Sequence, residues 1–264
     1  MPTSWTPQAV LSTAAAWVWT PYDAETRTSD HATVVISNGR ATVDRAEGLP
    51  AADLVAHVRD LVGGETAVIW PTHQATEPAD LADALLRAGA EVAENLDVIA
   101  YELAVGLPEL AVPADVEVRR IDTAADLADA YPVTSAVFAQ PEPTEAFRDG
   151  EAVELAKQVA AGGDRRIFRY LAYADGVAIG HAGTTIEGEV VKLWGGSVLE
   201  EYRGRGAYRA LLQARLAEAV ERGGGLALVK ARAGTSSPIL RRAGFTAYGR
   251  EVHYLLRPSA GQPA

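Results

Sequence analysis

The sequence predicts a mixed α+β (α/β) fold in two domains, each a mostly antiparallel sheet flanked by helices. Three observations carry this. Short apolar or alternating runs, bounded by Gly and Asn turns, interleave with longer runs of helical period. One stretch, 190–221, passes from a strand through a glycine-rich turn into a helix. A weakly structured segment with two prolines, GLPELAVPA at 106–114, separates two parts of the 264 residues, each able to hold its own core. The expected division is 1–112, 113–258 and a disordered tail at 259–264.

In the first part, the Ala-rich run Ser12 to Trp19 reads as a helix. His31 to Ser37 and Arg40 to Asp44 read as strands around Asn38–Gly39, a strong hairpin signal. Leu49 to Val62 has helical period, with Pro50 at its start and Gly63–Gly64 at its end. Thr66 to Trp70 reads as a buried strand, Pro78 to Ala88 as a helix stopped by Gly89, and Val98 to Leu103 as a strand. In the second part, Val116 to Arg120 is an alternating strand, and Thr123 to Ala130 and Thr144 to Ala161 are helices. Strands at Arg166 to Ala174 and Val177 to Ile186 are joined by Asp175–Gly176, and Glu187–Gly188 turns the chain into Val190 to Trp194. Ser197 to Leu199 reads as a further short strand. A helix with Tyr208, Leu211, Leu212, Leu216, Ala219 and Val220 at helical spacing follows. Leu226 to Lys230, the short helix Ser236 to Arg242 and Thr246 to Leu256 complete the order.

Composition narrows the function. The chain carries no cysteine, which removes disulfides, thiolate nucleophiles and Cys-based metal sites and fits a cytoplasmic protein. The five histidines are scattered, without metal-ligand spacing, so no metal is expected. No apolar run is long enough for a membrane span, and MPTSWTPQAV does not read as a signal peptide. A net charge of −11 argues against nucleic acid as a partner and suits a cationic co-substrate. Arginines nevertheless concentrate between Arg203 and Arg250.

The turn Tyr202–Arg203–Gly204–Arg205–Gly206–Ala207–Tyr208 is an anion site in outline. Glycines let the backbone approach closely, the first helical N–H groups have no partner, and Arg203, Arg205 and Arg209 add charge. A dinucleotide fingerprint needs a third glycine, and a nucleotide P-loop needs Gly-Lys-Ser/Thr; neither is present. A plain strand–turn–helix connection with solvated arginines is the competing reading.

The element order, with VLEEYRGRGAYRALL at 198–212 and TSSPILRRAGF at 235–245, resembles the GCN5-related N-acetyltransferase (GNAT) superfamily over about residues 116–256. The resemblance implies a GNAT-like fold, acetyl-CoA as acyl donor without a metal, and an amine as acceptor. It places the CoA pyrophosphate on Arg203, Gly204, Arg205, Gly206, Ala207 and Tyr208. The pantetheine arm then lies where two strands part near Gly195–Gly196, and the Val198 N–H polarises the carbonyl. The family's usual Tyr acid falls on Leu240, so Ser236, Ser237, Tyr208 or ordered water is left to protonate the thiolate; Ser236 and Ser237 also fit a helix N-cap. For the base, Glu189 falls near the family's position, with Glu187 and His181 as further candidates. A solvated hairpin tip is the alternative for the two glutamates.

The first half is a fainter copy. Leu85–Leu86–Arg87–Ala88–Gly89–Ala90 echoes Leu240–Arg241–Arg242–Ala243–Gly244–Phe245, but Arg45–Ala46–Glu47–Gly48–Leu49–Pro50 replaces the phosphate loop. The expected protein is a tandem GNAT-like chain with a degenerate N-terminal half, monomeric or homodimeric. It transfers acetyl to a small-molecule amine by direct transfer in a ternary complex. The alternatives are a non-catalytic acyl-CoA sensor or scaffold, motivated by Leu240, and acetylation of a protein N-terminus or lysine.

Overall fold

The computed structural model describes residues 5–64 and 66–258; the expected tail at 259–264 lies outside the described residues. Helix α1 spans Pro7–Ala15, earlier than the composition alone suggests, with Pro7 in the first helical turn, where its missing N–H costs nothing. Strands β1 (Glu25–Thr28), β2 (Ala32–Ser37) and β3 (Arg40–Ala46) form an antiparallel meander. Asn38 and Gly39 turn β2 into β3 with positive φ at both residues, 51° and 69°. Helix α2 (Ala51–Val62) then crosses to β4 (Ala67–His73), which runs parallel to β3 over Arg40–Thr42. Helix α3 (Leu81–Arg87) leads into β5 (Glu91–Glu102), which begins seven residues before the strand expected from Val98.

The second half starts with β6 (Glu117–Arg120), α4 (Ala124–Phe138) and α5 (Glu145–Ala160). Thr123 and Asp126 form a reciprocal capping box at the α4 N-terminus, and the helix continues through Pro132. Three antiparallel strands follow, β7 (Ile167–Ala174), β8 (Val177–Glu187) and β9 (Val190–Val198). The two short strands expected on either side of Gly195–Gly196 are one strand, β9, bent in the middle. Helix α6 (Ala207–Glu221) crosses to β10 (Leu226–Arg232), and α7 (Ser236–Arg242) precedes β11 (Thr246–Leu256).

The compact units do not follow chain order. One holds Ala100–Val229 and Leu240–Thr246; the other holds Pro7–Ile99, Lys230–Ile239 and 247–258. The division expected at 112/113 therefore differs from the packing. The reason is β11, which pairs antiparallel with β4 from Glu251↔His73 to Leu256↔Val68. Strand order in the first-half unit is β1-β2-β3-β4-β11-β5. Its core packs α2 and α3 on the sheet through Leu54, Val58, Leu81 and Leu85 against Val34, Val43, Trp70 and Leu256.

In the other unit the order is β10-β9-β8-β7-β6. Strand alternation separates its two faces. Gly180 faces α6, since a Cβ there would meet the Leu211 side chain at 3.2 Å. Leu171, which pairs with His181, joins Leu127, Tyr131 and Leu155 in the core beneath α4 and α5. His181 therefore faces the α4–α5 side. Apolar α6 residues Leu211, Leu212, Leu216 and Ala219 are buried as their spacing predicts, while Val220, assigned to the same stripe, is exposed. Among the described residues, no helix is long and apolar enough to cross a membrane.

Candidate active site

The site is built where β9 leaves its neighbours. Between His181↔Ser197 and Gly183↔Trp194, β9 carries one residue more than β8, a bulge at Gly195–Gly196. Gly195 takes φ of 61°, which a side chain would oppose. On the other edge, β9 pairs in parallel with β10 only from Val190↔Leu226 to Lys192↔Leu228. From Leu193 onwards the two strands part. The sequence placed a distortion at this glycine pair, and the bulge and the parting occur together there.

Val198 sits at the open end. The Leu199 N–H donates to the Ile179 carbonyl of β8 at 2.9 Å. Because successive residues of a strand point their amides to opposite sides, the Val198 N–H is directed away from β8, towards the gap. That is the orientation needed to polarise a carbonyl lying along β9.

The Arg–Gly loop closes the site. After one 3₁₀ turn at Glu200–Tyr202, Gly204 and Gly206 adopt φ of 79° and 91°. Gly206 is the N-cap of α6 without a side-chain cap, so the first helical amides point outwards. A Cβ on Gly206 would lie 2.8 Å from Pro113 Cδ and 2.9 Å from Arg209 Nη2. Arg203 Nε donates to the Val198 carbonyl at 3.4 Å, and Arg205 lies 5.2 Å from the Tyr202 ring centroid. Arg203, Arg205 and Arg209 are exposed, and Ala207 is buried. Tyr208, in the first turn of α6, leans on the bulge: a Cβ on Gly196 would meet its ring at 2.9 Å and its hydroxyl at 3.6 Å. Positive charge, open amides and glycine-only approaches fit a polyphosphate at the loop and a thin chain along β9.

The predicted catalytic residues divide. Tyr208 is at the bulge. Glu189 is not: it lies exposed in the β8–β9 turn, at the far end of β9 from Val198. At strand rise that is about 25–30 Å, so the expectation for Glu189 as base is corrected by distance; Glu187, at the same turn, is equally remote. Ser237, 1% exposed, belongs to the first-half unit, where its hydroxyl donates to Asp97 Oδ2 at 2.6 Å. Its proton is committed to that carboxylate. Leu240 is fully buried. His181 lies beside the bulge, with burial and then Arg169 pulling its pKa down to about 3. It is a neutral imidazole at pH 7, far below the pKa that suits a base there. Its ring lies 6.4 Å from Trp194, which stacks over Gly183 and donates to Thr185 Oγ1 at 3.0 Å. Arg169 sits 5.8 Å from the Trp194 ring centroid and pairs with Glu151.

One residue of this cluster escaped the sequence reading. Arg215 of α6 is buried, with Nη2 reaching the bulge at Gly196. Its signal was an arginine inside the apolar stripe, four residues after Leu211.

Residues 127–237 match the family model described as "Acetyltransferase (GNAT) family". No curated protein matches the chain. Among solved structures, the chain is similar to a GCN5-related N-acetyltransferase from Kribbella flavida, at 17% identity, covering 97% of this chain and 96% of that one, with a TM-score of 0.64. It is similar to a GCN5-related N-acetyltransferase from Sphaerobacter thermophilus, at 18% identity over 88% and 78% of the two chains, with a TM-score of 0.67. A tandem GNAT protein from the clavulanic acid biosynthesis pathway shares 17% identity over 96% and 89%, with a TM-score of 0.58.

Proposed function

We propose that this protein is an acetyl-CoA-dependent N-acetyltransferase acting on a small amine by direct transfer, a reading supported by the match of residues 127–237 to the GNAT family model. The carrying observation is the coincidence of three features on one strand and helix: the β9 bulge, the parting of β9 from β10, and the uncapped α6 N-terminus behind Gly204 and Gly206. Acetyl-CoA, when bound, supplies an activated acyl group and a thiol leaving group. The loop amides with Arg203, Arg205 and Arg209 hold the phosphates, and the Val198 N–H aligns the carbonyl.

The proton steps fall to Tyr208 and solvent. As the N–C bond forms and the C–S bond breaks, the electron pair leaves on sulfur and the Tyr208 hydroxyl gives it a proton. The amine's proton passes to water, and Tyr208 is reprotonated from the same water. His181 stays neutral throughout and lines the bulge beside Trp194. Replacing Tyr208 with Phe is expected to lower kcat about 100-fold with CoA affinity held within about twofold, because only an acid–base role is removed. A kcat within about threefold of wild type would exclude Tyr208 as the acid.

The first-half unit repeats the plan without the charge. β3 carries an extra residue opposite β2 near Thr33/Val34 and pairs with β4 over three positions. At the corresponding loop, Glu47 and Glu77 line a cleft with Gly48, Leu49, Pro50 and Pro78. Carboxylates repel a pyrophosphate, so calorimetric titration with CoA should give one site per chain. Two sites would refute the assignment of a single cradle.

The buried Leu240, in place of the family's usual Tyr, supports a second reading, a non-catalytic acyl-CoA sensor. A thioester-cleavage assay over a broad amine panel separates the two. Amine-dependent release of CoA establishes the transferase, and CoA binding without release with any amine establishes the sensor.

A further inference from the structure

Arg215 is 2% exposed, yet no carboxylate pairs with it among the described residues. Its Nε donates to the Leu211 carbonyl at 3.2 Å and its Nη1 reaches the Gly183 carbonyl at 3.5 Å, while Nη2 has no hydrogen-bond partner. Glu218, one turn on, shows how this helix treats a buried charge when it is structural. It accepts from Arg120, Arg222 and Tyr170 at 3.3, 3.0 and 3.1 Å. A guanidinium without such compensation is costly to bury. Burial pulls the Arg215 pKa down, opposed by Tyr208 and Tyr170.

The uncompensated end has a direction. A Cβ on Gly196 would lie 3.7 Å from Arg215 Nη2 and 3.6 Å from the Tyr208 hydroxyl. The Arg215 Cζ is 5.9 Å from the Tyr208 ring centroid. Both polar ends thus converge on one residue of the bulge, which is glycine and makes room for the Tyr208 ring. The groups on the α6 side that act on Arg215 are Tyr208 on its own helix and Tyr170 on β7, whereas His181 and Arg169 lie on the other face of the sheet, and no carboxylate is paired with Arg215 among the described residues.

We infer that Arg215 is a positioning residue: it fixes the Tyr208 hydroxyl at Gly196 and provides the positive charge that faces the departing CoA sulfur. This rests on the acetyl-CoA reading above. The C–S electron pair leaves on sulfur, Tyr208 donates the proton, and the transient negative charge on the phenol or the thiolate sits against Arg215. The substitute for the acid missing at Leu240 is then a Tyr–Arg pair on a different helix.

The test needs no acceptor. Free CoA and CoA bound to wild type, Arg215→Met, Tyr208→Phe and the double variant are titrated by ultraviolet thiolate absorbance. Wild type should ionise the bound thiol at lower pH than free CoA. Arg215→Met should raise the midpoint by about one unit, a tenfold change, with CoA affinity within about twofold. The double variant should shift less than the sum of the two single shifts, as a coupled pair requires. An Arg215→Met midpoint equal to wild type, in a folded variant that binds CoA, overturns the inference. If Arg215→Met does not fold, Arg215→Lys keeps the charge but loses the planar fork: a midpoint between wild type and free CoA supports the inference, and one equal to either overturns it. Failure of wild type to bind CoA sinks the acetyl-CoA reading itself, whereas binding with an unshifted thiol sinks only the role of Arg215.

Discussion

Gly206→Glu is expected to abolish CoA binding, raising Kd at least about 100-fold. Three effects add. The φ of 91° at Gly206 disfavours any side chain by about 1–2 kcal/mol. A Cβ meets Pro113 and Arg209 below 3.0 Å, which moves the α6 N-terminus. A carboxylate then stands among the open amides of the loop, where it repels a bound polyphosphate. At about 1.4 kcal/mol per tenfold, some 3 kcal/mol in total gives the 100-fold loss. Gly204→Ala is the graded partner: its φ is 79° but nothing lies within 4 Å of its Cβ, so only backbone strain remains and the loss should be about tenfold. Calorimetry on both variants, with circular dichroism to confirm folding, checks the order. Undiminished affinity in Gly206→Glu would remove the loop from the site.

The largest stability effect is expected at Lys230. Its Nζ lies 2.7 Å from Glu251 Oε2 and donates to the Trp17 carbonyl at 2.8 Å. Glu251 is buried and also accepts from His253 Nε2 at 2.7 Å. Lys230→Met leaves that carboxylate with one partner fewer, which costs about 3–5 kcal/mol when a buried pair is broken. The thermal midpoint should fall by about 10 °C. Acid dependence gives a second readout. Burial pushes the Glu251 pKa up, but the His253 hydrogen bond and the Lys230 charge outweigh it and hold it below the ordinary value. A depressed folded pKa contributes stability that is present above the unfolded value and lost as pH falls through the folded one. Wild type should therefore lose stability below about pH 4.3. In Lys230→Met the deficit should be largest near neutral pH and shrink on acidification, since a protonated Glu251 no longer needs its cation. A deficit independent of pH would mean that the loss is one of packing alone.

The legible parts of the site were those written in local backbone chemistry. Glycines at 195, 196, 204 and 206 announced a bulge and a tight loop, and the apolar period of 208–219 announced the helix behind them. Arg215 was hidden because a polar residue in an apolar stripe reads as an exception until the helix is packed. Glu189 failed for a geometric reason: the strand was found, but its length separates the turn from the chemistry. Ser237 reads as a helix cap in sequence, and only tertiary packing supplies Asp97 as its acceptor. In the fold, every strand of the second half was visible, but the neighbour of β11 was not. A strand's own residues specify its faces, whereas its pairing partner is chosen among all exposed edges of the chain.

That partner choice bears on biosynthesis. β4 ends at His73 and β11 begins at Thr246, so the edge of β4 emerges from the ribosome well before the strand that covers it. At synthesis rates of about 5–20 residues per second, the interval is roughly 10–35 s. During that time a row of unpaired amides and carbonyls is open to other nascent chains. The other unit can assemble most of its sheet in the same window, but the first-half unit matures last although it is made first. A nascent chain stalled or clipped before β11 would carry a nearly finished Arg–Gly loop and bulge beside an unfinished first-half sheet, making the final strand the checkpoint for the molecule.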